Sequence, residues 1–186
     1  MSKILISGYY GFANAGDEAM LTAIIESLRQ VEKNVELTVL SGNPEDTAAK
    51  HQVCSVYRFN PLGIIRAMKD SELIISGGGS LLQDVTSKRS LLYYLSIIGL
   101  GKFFGKKVML FAQGIGPIRA KWARKLTSLV CNEADLITVR DSESAAELIE
   151  MGVKPEKITV TADSVLSLNP VTKECGQYLL QEAGGE

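Results

Sequence analysis

Apolar residues arrive along the chain in short unbroken runs separated by amphipathic stretches. The runs are Lys3–Ser7, Glu36–Leu40, Glu72–Ser76, Lys107–Ala112, Leu136–Val139 and Lys157–Thr161, with a weaker one at Val53–Tyr57. Runs without strict alternation predict strands covered on both faces, and helices between such strands make a parallel sheet. After the first run, Met20, Leu21, Ile24, Ile25, Leu28 and Val31 fall on one helical stripe. Further helices are predicted over Leu62–Lys69, Arg89–Phe103, Lys121–Asn132 and Ser142–Met151, the last stopped by Gly152. The expectation is an α/β domain with a Rossmann-like, doubly wound parallel sheet over residues 1–168. Beyond Asp163 the segment Ser164–Pro170 reads as extended, and Val171–Glu182 as one short helix. Residues 169–186 are expected to be a linker and the start of a second domain that this chain does not contain.

Composition narrows the function classes. With 186 residues, 46% hydrophobic and 22% charged, the chain can bury a core without staples. Its 20 Lys+Arg against 21 Asp+Glu leave a net charge of −1, too little field to hold a nucleic acid by bulk charge. Cys54, Cys131 and Cys175 are odd in number and far apart, which argues against a disulfide framework or a structural zinc site and for a reducing, cytoplasmic setting. No signal-peptide pattern opens the chain, and the longest apolar stretch, Leu91–Gly101, falls short of the ~18 residues a bilayer span needs. Lys102, Lys106 and Lys107 read either as a membrane-surface patch or, preferably, as the lysine-capped end of a buried crossover helix.

The glycines locate the candidate chemistry. Eight of 17 follow three of the predicted strands: Gly8, Gly11 and Gly16; Gly77, Gly78 and Gly79; Gly114 and Gly116. All fall at the carboxyl edge, where doubly wound folds carry their sites. Glycine there lets backbone N–H groups approach a ligand, although a tight turn needs glycine as well. The first cluster, Gly8-Tyr9-Tyr10-Gly11-Phe12-Ala13-Asn14-Ala15-Gly16-Asp17-Glu18, is neither a dinucleotide fingerprint nor a P-loop. Asn14 is a natural N-cap with Asp17 three residues on, as in a capping box. Asp17 and Glu18 put negative charge where a phosphate would sit, so the loop suits a neutral, hydroxyl-rich ligand. Tyr9, Tyr10 and Phe12 are free to stack on a sugar or to pack.

In the second cluster Gly77, Gly78, Gly79, Ser80 and Gln83 offer backbone donors, a hydroxyl and an amide. Arg140, at a strand end, can bind a carboxylate or phosphate bidentately, or pair with Asp141 or Glu143. His51, the single histidine, lies in the polar segment Asp46–Gln52 and is expected to be a bystander away from the glycine edge. No Ser–His–Asp triad and no histidine-based metal site can be assembled.

Taken in order, Gly8–Ala19, Ser76-Gly77-Gly78-Gly79-Ser80-Leu81-Leu82-Gln83-Asp84, Gln113-Gly114-Ile115-Gly116-Pro117 and Val139-Arg140-Asp141 resemble the polysaccharide pyruvyl transferase family, with CsaB-type cell-wall enzymes as the nearest kind. Ala13 stands where many members are expected to carry Gly, a change suited to an unstrained turn. The resemblance implies one half of a two-domain, glycosyltransferase-B-like bacterial enzyme. It implies phosphoenolpyruvate as donor substrate, no cofactor or metal, and a 4,6-pyruvyl ketal as product on an amino sugar of a glycan or lipid-linked acceptor. It casts Asp17 and Asn14 as catalytic. Gly11, Gly77, Gly78, Gly79, Ser80, Gln83, Gly114 and Arg140 are cast as substrate-binding. The family's general acid is expected on the missing C-terminal domain, so this chain alone should be inactive. A lipid-linked acceptor would bring the Leu91–Lys107 region to the inner membrane face. Two rival readings share these motifs: a nucleotide-sugar-dependent glycosyltransferase and a non-catalytic carbohydrate-binding module.

Overall fold

The computed structural model describes residues 2–169, so the helix expected at Val171–Glu182 lies outside the described residues. In chain order the elements are β1 (Lys3–Tyr10), α1 (Ala15–Val31), β2 (Glu36–Ser41), α2 (Pro44–His51), β3 (Cys54–Tyr57), α3 (Pro61–Asp70) and β4 (Leu73–Ser76). They continue with β5 (Gly79–Leu82), α4 (Lys88–Phe103), β6 (Lys107–Ile115), α5 (Lys121–Glu133), β7 (Leu136–Val139), α6 (Ser142–Glu150) and β8 (Ile158–Val160). Every strand pair is parallel, in the order β3-β2-β1-β4-β6-β7-β8, with β5 added alongside the far end of β6. Strand order reverses between β1 and β4. Ligands of open α/β sheets bind outside the carboxyl ends of the strands at such a switch point.

Side chains alternate across each strand, and β1 divides the core accordingly. Ile4 and Ile6 pack with Leu21, Ile24 and Ile25 of α1 on one face. Leu5 packs on the other with Met68 of α3 and Leu91, Leu95 and Ile98 of α4. This is the expected Rossmann-like, doubly wound sheet. The α1 stripe is half right at its end, because Val31 is exposed while Met20, Leu21, Ile24 and Ile25 are buried.

Four local expectations are corrected. Strands β1 and β6 run on to Tyr10 and Ile115, so Gly8 and Gly114 sit in strands rather than in loops. The polar segment around Asp46 is helix α2, with Asn43 as its cap and Pro44 in its first turn. Gly79 begins strand β5, not a turn. Ser164–Ser167 forms a short 3-10 helix rather than extended chain.

Candidate functional site

Three connections meet at the switch point. At the start of α1 the Asn14 Oδ1 accepts from the N–H groups of Gly16 (3.0 Å) and Asp17 (3.3 Å), which makes the expected N-cap. Ala13, just before it, holds a left-handed backbone with φ of 56°. A β-carbon costs about 1–2 kcal/mol in that conformation. The expected unstrained turn is therefore corrected, and the strain gives the physical reason glycine belongs there. Glu18 ties the loop down from behind: one oxygen accepts the Gly11 N–H at 2.8 Å, and the other lies 3.5 Å from His51 Nε2. His51 thus does not lie away from the glycine edge, since α2 brings it against the loop that carries Asn14 and Asp17.

A cleft of about 420 Å³ opens beside this loop, lined by Tyr9, Asn14, Asp17, Ser80, Gln83 and Tyr94 among others. The structure therefore gathers four of the expected site residues, Asn14, Asp17, Ser80 and Gln83, from segments over 60 positions apart. Burial, reinforced by the neighbouring Glu18 carboxylate, raises the Asp17 carboxyl above the ordinary aspartate range. Gln83 is fixed by its own turn, accepting from the Thr86 N–H (2.9 Å) and donating to the Thr86 hydroxyl (2.7 Å). Asp84 accepts the N–H groups of Arg119 (3.0 Å) and Ala120 (2.9 Å), tying the turn after β5 to the start of α5. Those backbone bonds hold its carboxyl below the usual range.

Arg140 lies in a neighbouring compartment of about 280 Å³ with Gly116, Asp141, Glu143 and Glu147, and Ser80 lines both. Its guanidinium donates to Asp141 (3.3 Å), Asp163 (3.3 Å) and the Ser80 hydroxyl (3.2 Å). The ion pair foreseen with Asp141 forms. Asp163 takes the place foreseen for Glu143. Asp141 also caps α6 through Ser144 (2.7 Å), and that bond, with Arg140 beside it, holds its carboxyl low.

Several of the glycines are also required by close packing. Gly77, Gly78 and Gly79 are buried, and the Gly77 N–H already donates to Ser7 O at 2.7 Å. A β-carbon on Gly77 would stand 2.1 Å from the Tyr10 hydroxyl. Gly77 makes room for a buried tyrosine, while Gly78 packs against Met20 and Ser164, and Gly79 against Asp17 and Met20. Gly11 is close-packed on the Ser41 hydroxyl, and Gly114 on the Arg140 guanidinium. Tyr10 is wholly buried and cannot reach a ligand, whereas Tyr9 and Phe12 remain 41% exposed.

Residues outside the expected set also enter. Tyr94 of α4 lines the cleft, and Arg58, behind it, is 4% exposed and hydrogen-bonds the Tyr94 hydroxyl at 3.4 Å. The basic and aromatic segment Tyr57-Arg58-Phe59 at the end of the weak strand was the available signal.

A family model for polysaccharide pyruvyl transferases matches residues 14–174. The chain belongs to the polysaccharide pyruvyl transferase family. Among curated proteins nothing matches significantly. Solved structures similar to this chain include HepE of Anabaena in complex with UDP and glucose, at 12% identity and a TM-score of 0.61, covering 99% of this chain and 50% of that one. The UDP-GlcNAc 2-epimerase of Neisseria meningitidis bound to UDP-GlcNAc aligns at 13% identity and 0.55, covering 97% and 50%. A glycosyltransferase of Rickettsia africae aligns at 11% and 0.56, covering 100% and 50%. At such identities the likeness is one of fold, the glycosyltransferase-B-like kind. The chain spans about half the length of these proteins. Among its described residues no helix is long and apolar enough to cross a membrane.

Proposed function

We propose that this chain carries the acceptor side of a pyruvyl transferase that uses phosphoenolpyruvate to place a 4,6-linked ketal on an amino sugar such as N-acetylmannosamine. One observation carries the reading: in a member of this family, Asn14, Asp17, Ser80 and Gln83 converge on one cleft at the sheet's switch point. In the reaction the enol carbon gains a proton and the carbon bearing phosphate becomes cationic. Two sugar hydroxyls then add in turn, each losing a proton, and phosphate departs with one of them. Asp17 accepts a hydroxyl proton. Its raised pKa makes it a stronger base than an ordinary aspartate, and Asn14 fixes the loop that carries it. Arg140 receives the donor's carboxylate or phosphate by exchanging Asp141 or Asp163 for it. The resemblance to the family assigns delivery of the enol proton to a second domain facing the cleft, while His51 lies 3.5 Å from Glu18 behind the loop.

The direct test supplies phosphoenolpyruvate and an N-acetylmannosamine-containing acceptor to the full-length protein and looks by mass spectrometry for one added pyruvyl ketal with release of phosphate. Asp17→Ala should slow turnover by about 100-fold or more, the scale of a lost general base. In the wild type the rate should rise with pH as Asp17 ionises, with a midpoint above that of a free aspartate; Asp17→Asn should lose that limb. Arg140→Ala should raise the KM for phosphoenolpyruvate by about tenfold, the scale of one charge-assisted contact. The rival reading, glycosyl transfer from a nucleotide sugar, predicts nucleotide release and no consumption of phosphoenolpyruvate. A carbohydrate-binding module predicts sugar binding with neither.

A further inference from the structure

Arg58 is the only lysine or arginine among the described residues that is fully buried. Among the described residues no carboxylate pairs with it, and its Nε and Nη1 have no hydrogen-bond partner. Five aromatic rings surround it instead. Its guanidinium carbon lies 4.4 Å from the Tyr93 ring centre, 5.2 Å from Phe59, 5.3 Å from Phe12, 5.5 Å from Tyr94 and 5.9 Å from Tyr9. Taking a charge out of water is costly, and ring faces offset only part of that cost. The arrangement is dear as packing, since an apolar side chain would fill the same space without the penalty.

What the cation touches suggests its use. Two of its rings, Tyr9 and Tyr94, wall the cleft. Tyr9 stacks on Phe12 at 4.4 Å and 15°, so its one face is backed and its orientation is fixed. Tyr9 keeps two-fifths of its surface open beside the amide of Asn14, the carboxylate of Asp17 and the hydroxyls of Ser80 and Ser90. A pyranose ring needs that combination: an apolar C–H face to lie on an aromatic ring, and polar groups for the hydroxyls at its rim.

We propose that Tyr9 is the platform on which a sugar ring stacks in this cleft, and that Arg58 is a positioning residue that pins the platform through the ring cluster. The proposal rests on the reading that the substrate accepting the pyruvyl group is a sugar, and it assigns that sugar's apolar face to one side chain.

Saturation-transfer NMR with N-acetylmannosamine, together with steady-state kinetics on the full-length protein, tests it. Tyr9→Phe should bind the sugar within twofold of wild type, and Tyr9→Leu should weaken binding about tenfold. Arg58→Met should raise the acceptor KM several-fold while leaving the phosphoenolpyruvate KM unchanged, with partial recovery in Arg58→Lys. A merely structural arginine would lower the folded fraction, and thus kcat, with both KM values intact; that outcome overturns the positioning role. A raised phosphoenolpyruvate KM in Arg58→Met would assign the guanidinium to the anionic donor and overturn it too. Should Arg58→Met fail to fold, Phe12→Leu removes the backing of Tyr9 and is expected to weaken sugar binding in the same way; unchanged binding there refutes the pinned platform. Pyruvyl transfer with an unaltered acceptor KM in Tyr9→Leu would sink the platform and keep the transferase. Sugar binding that Tyr9→Leu abolishes, in a protein that transfers no pyruvyl group, would do the reverse.

Discussion

The two edges of the sheet are built on opposite terms. At the amino edge charges are paired in the open: Lys102 and Lys107 reach Asp135 at 2.7 and 3.3 Å, and Lys106 donates to the Lys69 carbonyl at the end of α3. The lysines read either as a membrane-surface patch or as a capped helix end are thus matched locally. At the carboxyl edge, several buried polar atoms have no partner among the described residues: the hydroxyls of Ser7, Tyr10, Tyr93 and Ser164, the Gln113 Oε1, and two nitrogens of Arg58. Each unmet group of this kind costs on the order of 1–3 kcal/mol. One edge is arranged for stability and the other gives stability up, as expected where a fold holds its site.

The sharpest way to break that contrast is at Gly77. Gly77→Ala forces a β-carbon onto the buried Tyr10 hydroxyl and should cost about 2–3 kcal/mol, as overpacked cores do, lowering Tm by roughly 5–10 °C. Tyr10→Phe removes an unpartnered hydroxyl and the clashing atom together. It should be neutral or stabilising alone and should rescue most of the Gly77→Ala loss, and a thermal-melt double-mutant cycle reads both. If Gly77→Ala melts like wild type, the tripeptide is free of the tyrosine and its glycines return to the ligand.

Ala13→Gly is the next in size. It should stabilise the chain by about 1 kcal/mol by relieving the left-handed backbone, seen as a higher urea midpoint at constant m. The amino edge is tested by pH. Burial alone would raise the Asp135 carboxyl, but the bonds from Lys102, the Val108 N–H and Lys107 outweigh it and lower the pKa from 3.8 to about 2. The stability Asp135 adds is therefore present above about pH 4 and is lost as pH falls toward 2. Asp135→Asn should flatten that part of the acid-denaturation curve, modestly because the pair is exposed to solvent.

How much of this was legible in the sequence depends on how far apart the partners are. Strand cores such as Ile4–Ile6 and Ile74–Ile75 announce themselves because both faces are covered by neighbours their own pattern implies. Helix α2 escaped because it buries only Thr47, leaving no stripe to detect, although Asn43-Pro44 with Glu45 and Asp46 after it is a helix start in retrospect. Strand β5 was hidden by its glycines and by having β6 as its only partner. Asn14 and Asp17 could be placed from a local cap. Arg58 could not, since its five rings come from three segments that only the fold assembles. The packing need at Gly77 was hidden for the same reason: what crowds that position is Tyr10, 67 positions earlier.

One hydroxyl carries a last consequence. Ser80 lines both compartments, and its oxygen accepts a hydrogen bond from Arg140. In the proposed reaction an anion bound by Arg140 would compete with Ser80 for the guanidinium, so a donor in one compartment and a sugar in the other would meet at a single side chain.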